Sequence, residues 1–240
     1  KVAESHPNIV AVHSNIIPPS LTDVTKLDKY RKRYVPATIT VVDYLGIGIM
    51  EIKTTKVKEV FYPRMCASLV LKDIFKEIGL FDPEFFIYME EVDLGWKIRL
   101  RDKDYRIVVC PSSIVYHIRK HYALKKYPYL SIFHYRKNHI VILLTNYSLI
   151  NTVSCLPLFL SLMFLEALYK LFVMKDSIPM LASMKAVLWI VLNARYVLRR
   201  RFFIQKIVRK TNDNQIKKYM IRPPVSIYFN KVCRRGTPCG

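Results

Sequence analysis

The sequence predicts an α/β fold followed by an all-helical, membrane-associated region. Three observations carry that expectation. Val- and Ile-rich stretches at 9–17, 37–50 and 106–110 are interleaved with stretches of helical period at 71–78 and 91–101. Between 140 and 165 there is no charged residue, and a second apolar run at 178–194 is interrupted only by Lys185. The 39 Lys and Arg against 18 Asp and Glu leave a formal charge of +21, which calls for an anionic partner or surface. Strong basicity combined with long apolar runs favours lipid over nucleic acid. The cations flank apolar segments rather than interleaving with aromatics on a sheet, so no nucleic-acid partner is expected.

Taken in order, residues 9–17 read as a buried strand ended by Pro18 and Pro19. Residues 21–33 are polar and basic, a loop or short surface helix. Residues 37–50 read as an extended segment with a turn at Gly46 and Gly48. No GxGxxG or GxxxxGK[ST] phosphate loop is present, and glycine is scarce, at 6. Residues 53–58 read as a solvated connector. A helix is expected over 71–78, with Leu71, Ile74, Phe75 and Ile78 on one face and Gly79 as its cap. Residues 84–89 are aromatic and read as buried. The next helix, 91–101, would place Val92, Gly95, Trp96, Arg99 and Leu100 on one side. A turn at 102–105 precedes a strand at 106–110 and a further one at 111–117. The five cysteines show no CxxC or Cys/His spacing, which argues against a zinc framework. Cys233 and Cys239 could pair only if oxidised.

The apolar runs are read as helices at about 140–165 and 178–197, and the length of the first exceeds the ~20 residues that span a bilayer. Asn146, Ser148, Asn151, Ser154 and Pro157 weaken the first. Arg136 and Lys137 before the pair, with Arg195 and Arg199–Arg201 after it, would place both ends on the cytoplasmic side. Three readings stand: two spans, two amphipathic helices in the interface, or helices of a soluble core.

Chemistry concentrates in 81–117. Glu90, Glu91 and Asp93 lie within four residues, and carboxylates so close need a cation, a metal or a raised pKa unless solvated. The enzymatic reading is transfer to a hydroxyl. Glu91 is the expected general base, Asp93 the second candidate, and Glu90 a group that orients a substrate hydroxyl. Trp96, Lys97 and Arg99 are candidate substrate-binding residues, Trp96 either stacking on a sugar or filling the core. His117 is the candidate ligand for a divalent metal, which would offset a diphosphate leaving group. The plainer reading of the acidic cluster is a solvated cap at a helix start, where carboxylates are favoured anyway. Asp102-Lys103-Asp104 spells DxD but falls in a turn, where acidic residues are common, and reads as a decoy.

The ordered stretch GLFDPEFFIYMEEVDLGWKIRLRDKDYRIVVCPSSIVYH resembles the second half of the catalytic domain of family-2 inverting glycosyltransferases, rhamnosyltransferase-like branch. The resemblance is close over 67–117. It is loose over 1–17 and at Tyr135-Arg136-Lys137-Asn138. It implies a GT-A fold, a nucleotide-sugar donor, a glycan or lipid-linked acceptor, and Mg²⁺ or Mn²⁺ as cofactor. It places the second acid of the family's pair, the base, on Glu91 with Asp93 beside it, and a common metal-ligand histidine on His117. The sequence departs from the pattern at Glu91 for the usual Asp, Lys97 for Arg and Asp104 for Gly. The donor-binding half with its DxD is absent. The chain is therefore expected to be an amino-terminally truncated enzyme or fragment, inactive alone. On this reading 1–122 is the C-terminal half of the catalytic domain, 123–222 a helical membrane-associated region, and 223–240 a loose basic tail.

Overall fold

The computed structural model describes residues 1–17, 36–117 and 126–222. The expected loop at 21–33 and the tail with Cys233 and Cys239 lie outside the described residues. The fold is mixed α/β, 52% helix and 21% strand among the described residues, as expected for its class.

Strand β1 (Ile9–Ile17) is the centre of the first sheet. It runs parallel to β6 (Arg106–Tyr116) on one side and antiparallel to β5 (Ser68–Val70) on the other, and β4 (Lys58–Glu59) closes the far edge of β6. Burial of both faces explains why β1 reads as a nearly continuous apolar run. The two strands expected at 106–110 and 111–117 are one strand with a bulge. The register jumps from Ser14 opposite Cys110 to Asn15 opposite Ile114. Pro111 lacks a donor for the ladder, so the strand leaves its register there.

Strands β2 (Ala37–Asp43) and β3 (Gly48–Thr54) form a hairpin, and β7 (Met220–Ile221) from the far end of the chain adds beside β2 in parallel. The Asp43 carboxylate accepts the backbone N–H of Leu45 at 2.9 Å and of Ile47 at 2.7 Å, which closes the turn. Gly46 sits there at φ +76°, and a Cβ would meet the Trp96 ring at 3.0 Å.

Helix α1 (Ile74–Ile78) is shorter than expected and ends on Gly79 at φ +76°. Helix α2 (Glu90–Arg101) appears where the periodicity put it, but it has no solvent side: Val92 through Leu100 are all buried. It passes so close to the preceding chain that a Cβ on Gly95 would lie 2.5 Å from the Tyr62 Cβ and 2.7 Å from the Phe61 carbonyl oxygen. That approach sets the start of α2 against residues 61–65.

The uncharged run at 140–165 is not one helix. Helix α3 (Pro128–Asn146) ends inside it, and α4 (Leu149–Phe172) begins after extended backbone at Tyr147 and Ser148. The break is built from the polar residues. Asn146 is buried by side-chain partners on other elements, and the Ser148 N–H and Asn151 amide donate to the Asp213 carboxylate at 3.0 and 2.5 Å. The last carbonyls of α3, which have no helical partner, are taken up by later residues. Gln205 Nε2 reaches Thr145, Asn146 and Tyr147 at 2.7–3.2 Å, Arg201 reaches Leu144 and Tyr147, and Arg209 reaches Asn146.

Helix α5 (Ile178–Leu192) returns along α3 and is followed by α6 (Ala194–Phe202), a π-helical turn (Phe203–Val208) and α7 (Asp213–Lys217). Among the described residues, α4 is long and apolar enough to cross a membrane. At ~1.5 Å per residue its 24 residues extend about 36 Å, beyond a hydrocarbon core of ~30 Å. The α5–α6 pair also passes by composition but bends by 69°. One hydrophobic cluster contains Val10, Trp96 and Ile107 together with Ile142, Phe159, Ala186 and Ile204. The α/β part and the helical part therefore share a core.

Candidate functional site

The loop that precedes the acidic cluster holds three non-glycine residues at positive φ: Phe86 at 57°, Tyr88 at 67° and Met89 at 70°. Such residues cost of order 1–3 kcal/mol each in sparsely populated regions and persist where the surroundings fix them. The fixing residue is Asn138. Its Nδ2 donates to the carbonyls of Phe85, Ile87 and Tyr88 at 2.8–2.9 Å, and Lys137 Nζ donates to the Glu84 carbonyl. The YRKN element thus holds the loop that presents the carboxylates. The expectation that 84–89 is buried holds for Phe85, at 2% exposure, and fails for Phe86, at 83%.

The three carboxylates meet three environments. Glu91 is half-buried, and its Oε2 accepts the Met65 N–H at 3.0 Å. Beside it is Tyr62, whose hydroxyl is pushed up to about 12 by burial and by the Glu91 charge. Arg64, 13% exposed, donates to Thr40 Oγ1 at 2.7 Å and lies 3.4 Å from the Glu51 carboxylate. Glu90 is half-buried, its Oε2 has no hydrogen-bond partner, and burial pushes its carboxyl above the ordinary range.

Asp93 is different. It is 2% exposed and forms an ion pair with Arg200 Nη2 at 2.5 Å. It also accepts from Asn146 Nδ2 at 2.9 Å and lies 3.4 Å from Lys97 Nζ. Burial alone would raise its carboxyl, but Arg200 and Lys97 outweigh that and hold it below the usual range. Arg200 also donates to Asp82 at 2.8 Å, and Asp82 accepts the Tyr196 hydroxyl at 2.6 Å. An aspartate so enclosed cannot reach an acceptor hydroxyl, which corrects its assignment as an alternative base.

The three candidate substrate-binding residues are corrected as well. Trp96 is fully buried, edge-on to Phe61 at 5.6 Å and Tyr147 at 4.8 Å between ring centroids, and cannot stack on a sugar. Lys97 is 4% exposed and donates to the Leu80 carbonyl at 2.9 Å. Arg99 is 2% exposed, bonds the carbonyls of Val60 and Phe61, and stacks 3.4 Å from the Tyr219 ring centroid. In all three the partners lie far along the chain, so the residues look available in sequence and are consumed in the fold.

His117 closes the β1–β6 ladder through its N–H to the Ile17 carbonyl at 3.0 Å. Among the described residues no three of His, Cys, Asp and Glu gather closely enough to hold a metal ion. His117 is thus not gathered with Glu90 and Glu91 into such a group. Asp102 accepts the Asp104 N–H at 2.9 Å, the turn expected of the decoy DxD.

Sequence reading missed Arg200 and the Tyr62–Arg64–His13 neighbourhood, and had Asn138 only as part of a loosely matching element. The i, i+3, i+7 spacing of Val197, Arg200 and Ile204 is the one signal that marked Arg200 as inward. No family model, curated protein or solved structure matches the chain.

Replacing Arg200 by Met leaves Asp93 buried without its cation and lowers stability by about 3–5 kcal/mol. The double change Asp93→Leu with Arg200→Met recovers part of that loss. Denaturant unfolding in mild detergent measures both.

His13 is 3% exposed, and its pKa is lowered to about 4, by burial first and by Arg64, against the Ser14 carbonyl that accepts from its ring. The folded chain therefore binds the proton less readily than the unfolded chain. Stability is full above about pH 6.5 and declines as pH falls towards 4, by up to about 3 kcal/mol at ~1.4 kcal/mol per unit. His13→Gln flattens the profile in that window, read as unfolding midpoint against pH.

Proposed function

We propose that this chain is the acceptor-side part of an inverting glycosyltransferase of GT-A type, in the hexosyltransferase class, acting in cell-surface polysaccharide or glycoconjugate synthesis. The observation that carries the reading is the start of α2. A strained loop clamped by Asn138 presents Glu91 at a half-buried position, with one carboxylate oxygen oriented by the Met65 N–H.

On this reading Glu91 takes the proton from the acceptor hydroxyl. The oxygen attacks the anomeric carbon of the sugar from the face opposite the nucleoside diphosphate. The bond to the phosphate oxygen breaks, the electron pair leaves with the diphosphate, and the anomeric configuration inverts. Glu90 lies next to the reacting hydroxyl, and its raised carboxyl pKa supports a role in orienting it. Asp93 contributes by holding α2 in place. A divalent ion, Mg²⁺ or Mn²⁺, would neutralise the diphosphate charge when bound. The described residues supply no ligand set for it, and no step here depends on one. The exposed cations Arg195 and Arg199 suit the anionic cytoplasmic leaflet and so support a cytoplasmic face for the catalytic part. A lipid-linked acceptor suits that location.

A second reading, a membrane-associated remnant or scaffold without catalysis, is favoured by one observation. Four of the seven candidate site residues, Asp93, Trp96, Lys97 and Arg99, are wholly engaged in packing.

Sugar transfer from a panel of nucleotide sugars, measured with the protein expressed from its whole gene, separates the two. Glu91→Gln lowers kcat by about 10²–10⁴-fold with little change in KM. Glu90→Gln retains most of the rate and moves the acidic limb of the pH profile. A Glu91→Gln variant at wild-type rate removes Glu91 as base. Absence of nucleotide-sugar binding with either metal selects the scaffold.

A further inference from the structure

The length of α4 fits a membrane span, but its packing places it elsewhere. Helix α4 runs antiparallel beside α3: Thr152 Oγ1 donates to the Leu143 carbonyl at 3.2 Å, the Phe159 ring lies 4.1 Å from His139, and Glu166 pairs with Arg136 at 3.3 Å. The same helix is also bound to the α/β part. Asn138 holds the loop before α2, His139 Nε2 reaches the Leu45 carbonyl at 2.5 Å, and Asn146 reaches Asp93. An upright α4 would therefore drag α3, its buried Arg136 and Lys137, and the sheet layer into hydrocarbon.

The second apolar element does not span either. Helix α5 has 15 residues, about 22 Å at ~1.5 Å per residue, short of the ~30 Å core. Continuing into α6 would bury Arg195 and Arg199–Arg201, each costing about 2.5–3.5 kcal/mol at the bilayer centre. Arg200 is in any case bound to Asp93.

The outward faces nevertheless remain apolar. On α4 only 22% of the central window is buried. On α6 and the turn after it, Leu198, Phe202 and Ile207 are 65%, 63% and 50% exposed. The exposed cations Arg195, Arg199 and Lys206 alternate with them, and residues 194–208 contain no acid. Apolar side chains set among cations on one helical stripe complement an anionic headgroup layer above acyl chains.

We propose that the protein is monotopic: α4, α5 and α6 lie in the plane of one anionic leaflet, and no helix crosses. Insertion is shallow, ~5–10 Å, with Arg195, Arg199 and Lys206 at the lipid phosphates. The Arg200–Asp93 pair then fixes the height of α2 above the membrane. This inference does not depend on glycosyl transfer.

Depth-dependent quenching by brominated lipids tests it, using the full chain with Trp189→Phe to remove the half-buried indole. One tryptophan at a time is added, as Leu158→Trp, at the middle of α4, or as Phe202→Trp, and the Trp189→Phe parent, which keeps the fully buried Trp96, supplies the background to subtract. Both are expected to be quenched more by lipids brominated near the headgroup than by lipids brominated deep in the chain. Deepest quenching at position 158 would show a crossing helix and overturn the proposal. Vesicles of phosphatidylcholine with phosphatidylglycerol are expected to bind at least tenfold more tightly than phosphatidylcholine alone, and Arg195→Glu with Arg199→Glu and Lys206→Glu to abolish the difference. Equal binding to both compositions would overturn the anionic assignment. All three cations are exposed, so the fold should tolerate the reversal; if it does not, the two quenching profiles decide alone. Protection of position 202 that rises with protein concentration without lipid would assign the face to a second copy and overturn it.

Discussion

The ion pair between Asp93 and Arg200 is the constraint on which the rest depends. Two charges leave water together at the centre of a shared core, and each needs the other there. The pair joins the first turn of α2 to the last turn of α6, and its remaining hydrogen-bonding capacity is met by Asn146, Asp82 and Thr145. Through those bonds the end of α3, the loop before α2 and the last long helix converge on one point. A basic triplet that looks like a membrane flank is divided by this arrangement: Arg199 faces out, Arg201 caps the end of α3, and Arg200 is a core residue.

Helix α3 has the second organising role. It meets the α/β layer through Asn138, His139 and Asn146, and meets α4 and α5 through the His139 ring against Phe159 and through Arg136, which reaches Glu166 and the Pro179 carbonyl. It is the interior layer between sheet and surface helices. Its polar residues are its fasteners rather than interruptions of an apolar run, which is why a charge-free stretch that begins within it reads so differently in three dimensions.

Local order was largely legible in the sequence. The bounds of β1, the hairpin after residue 37, the start of α2 and the Gly79 cap follow from alternation, period and backbone preference, all set by near neighbours. The acidic cluster at Glu90 and Glu91 was legible as the start of a helix. What was not legible was which side chains the fold would consume. Trp96, Lys97 and Arg99 find partners on residues 60–61, 80, 147 and 219, and nothing in their immediate surroundings distinguishes them from ligand-binding groups. Likewise the absence of charge could not locate the break at Tyr147–Ser148, which depends on Asp213 and Gln205 arriving from the far end of the chain.

The 107 residues between Asp93 and Arg200 also have a consequence in time. Synthesis at ~5–20 residues per second separates the two by about 5–20 s. Throughout that interval the Asp93 carboxylate has Lys97, one turn along α2, but not Arg200, so burying it in the core costs more than it does in the finished chain. The nascent α/β part must wait, open and apolar, for the helical region to emerge. Assembly of the shared core thereby depends on an arginine made long after its partner, and a ribosome paused before residue 200 would hold that core without its cation.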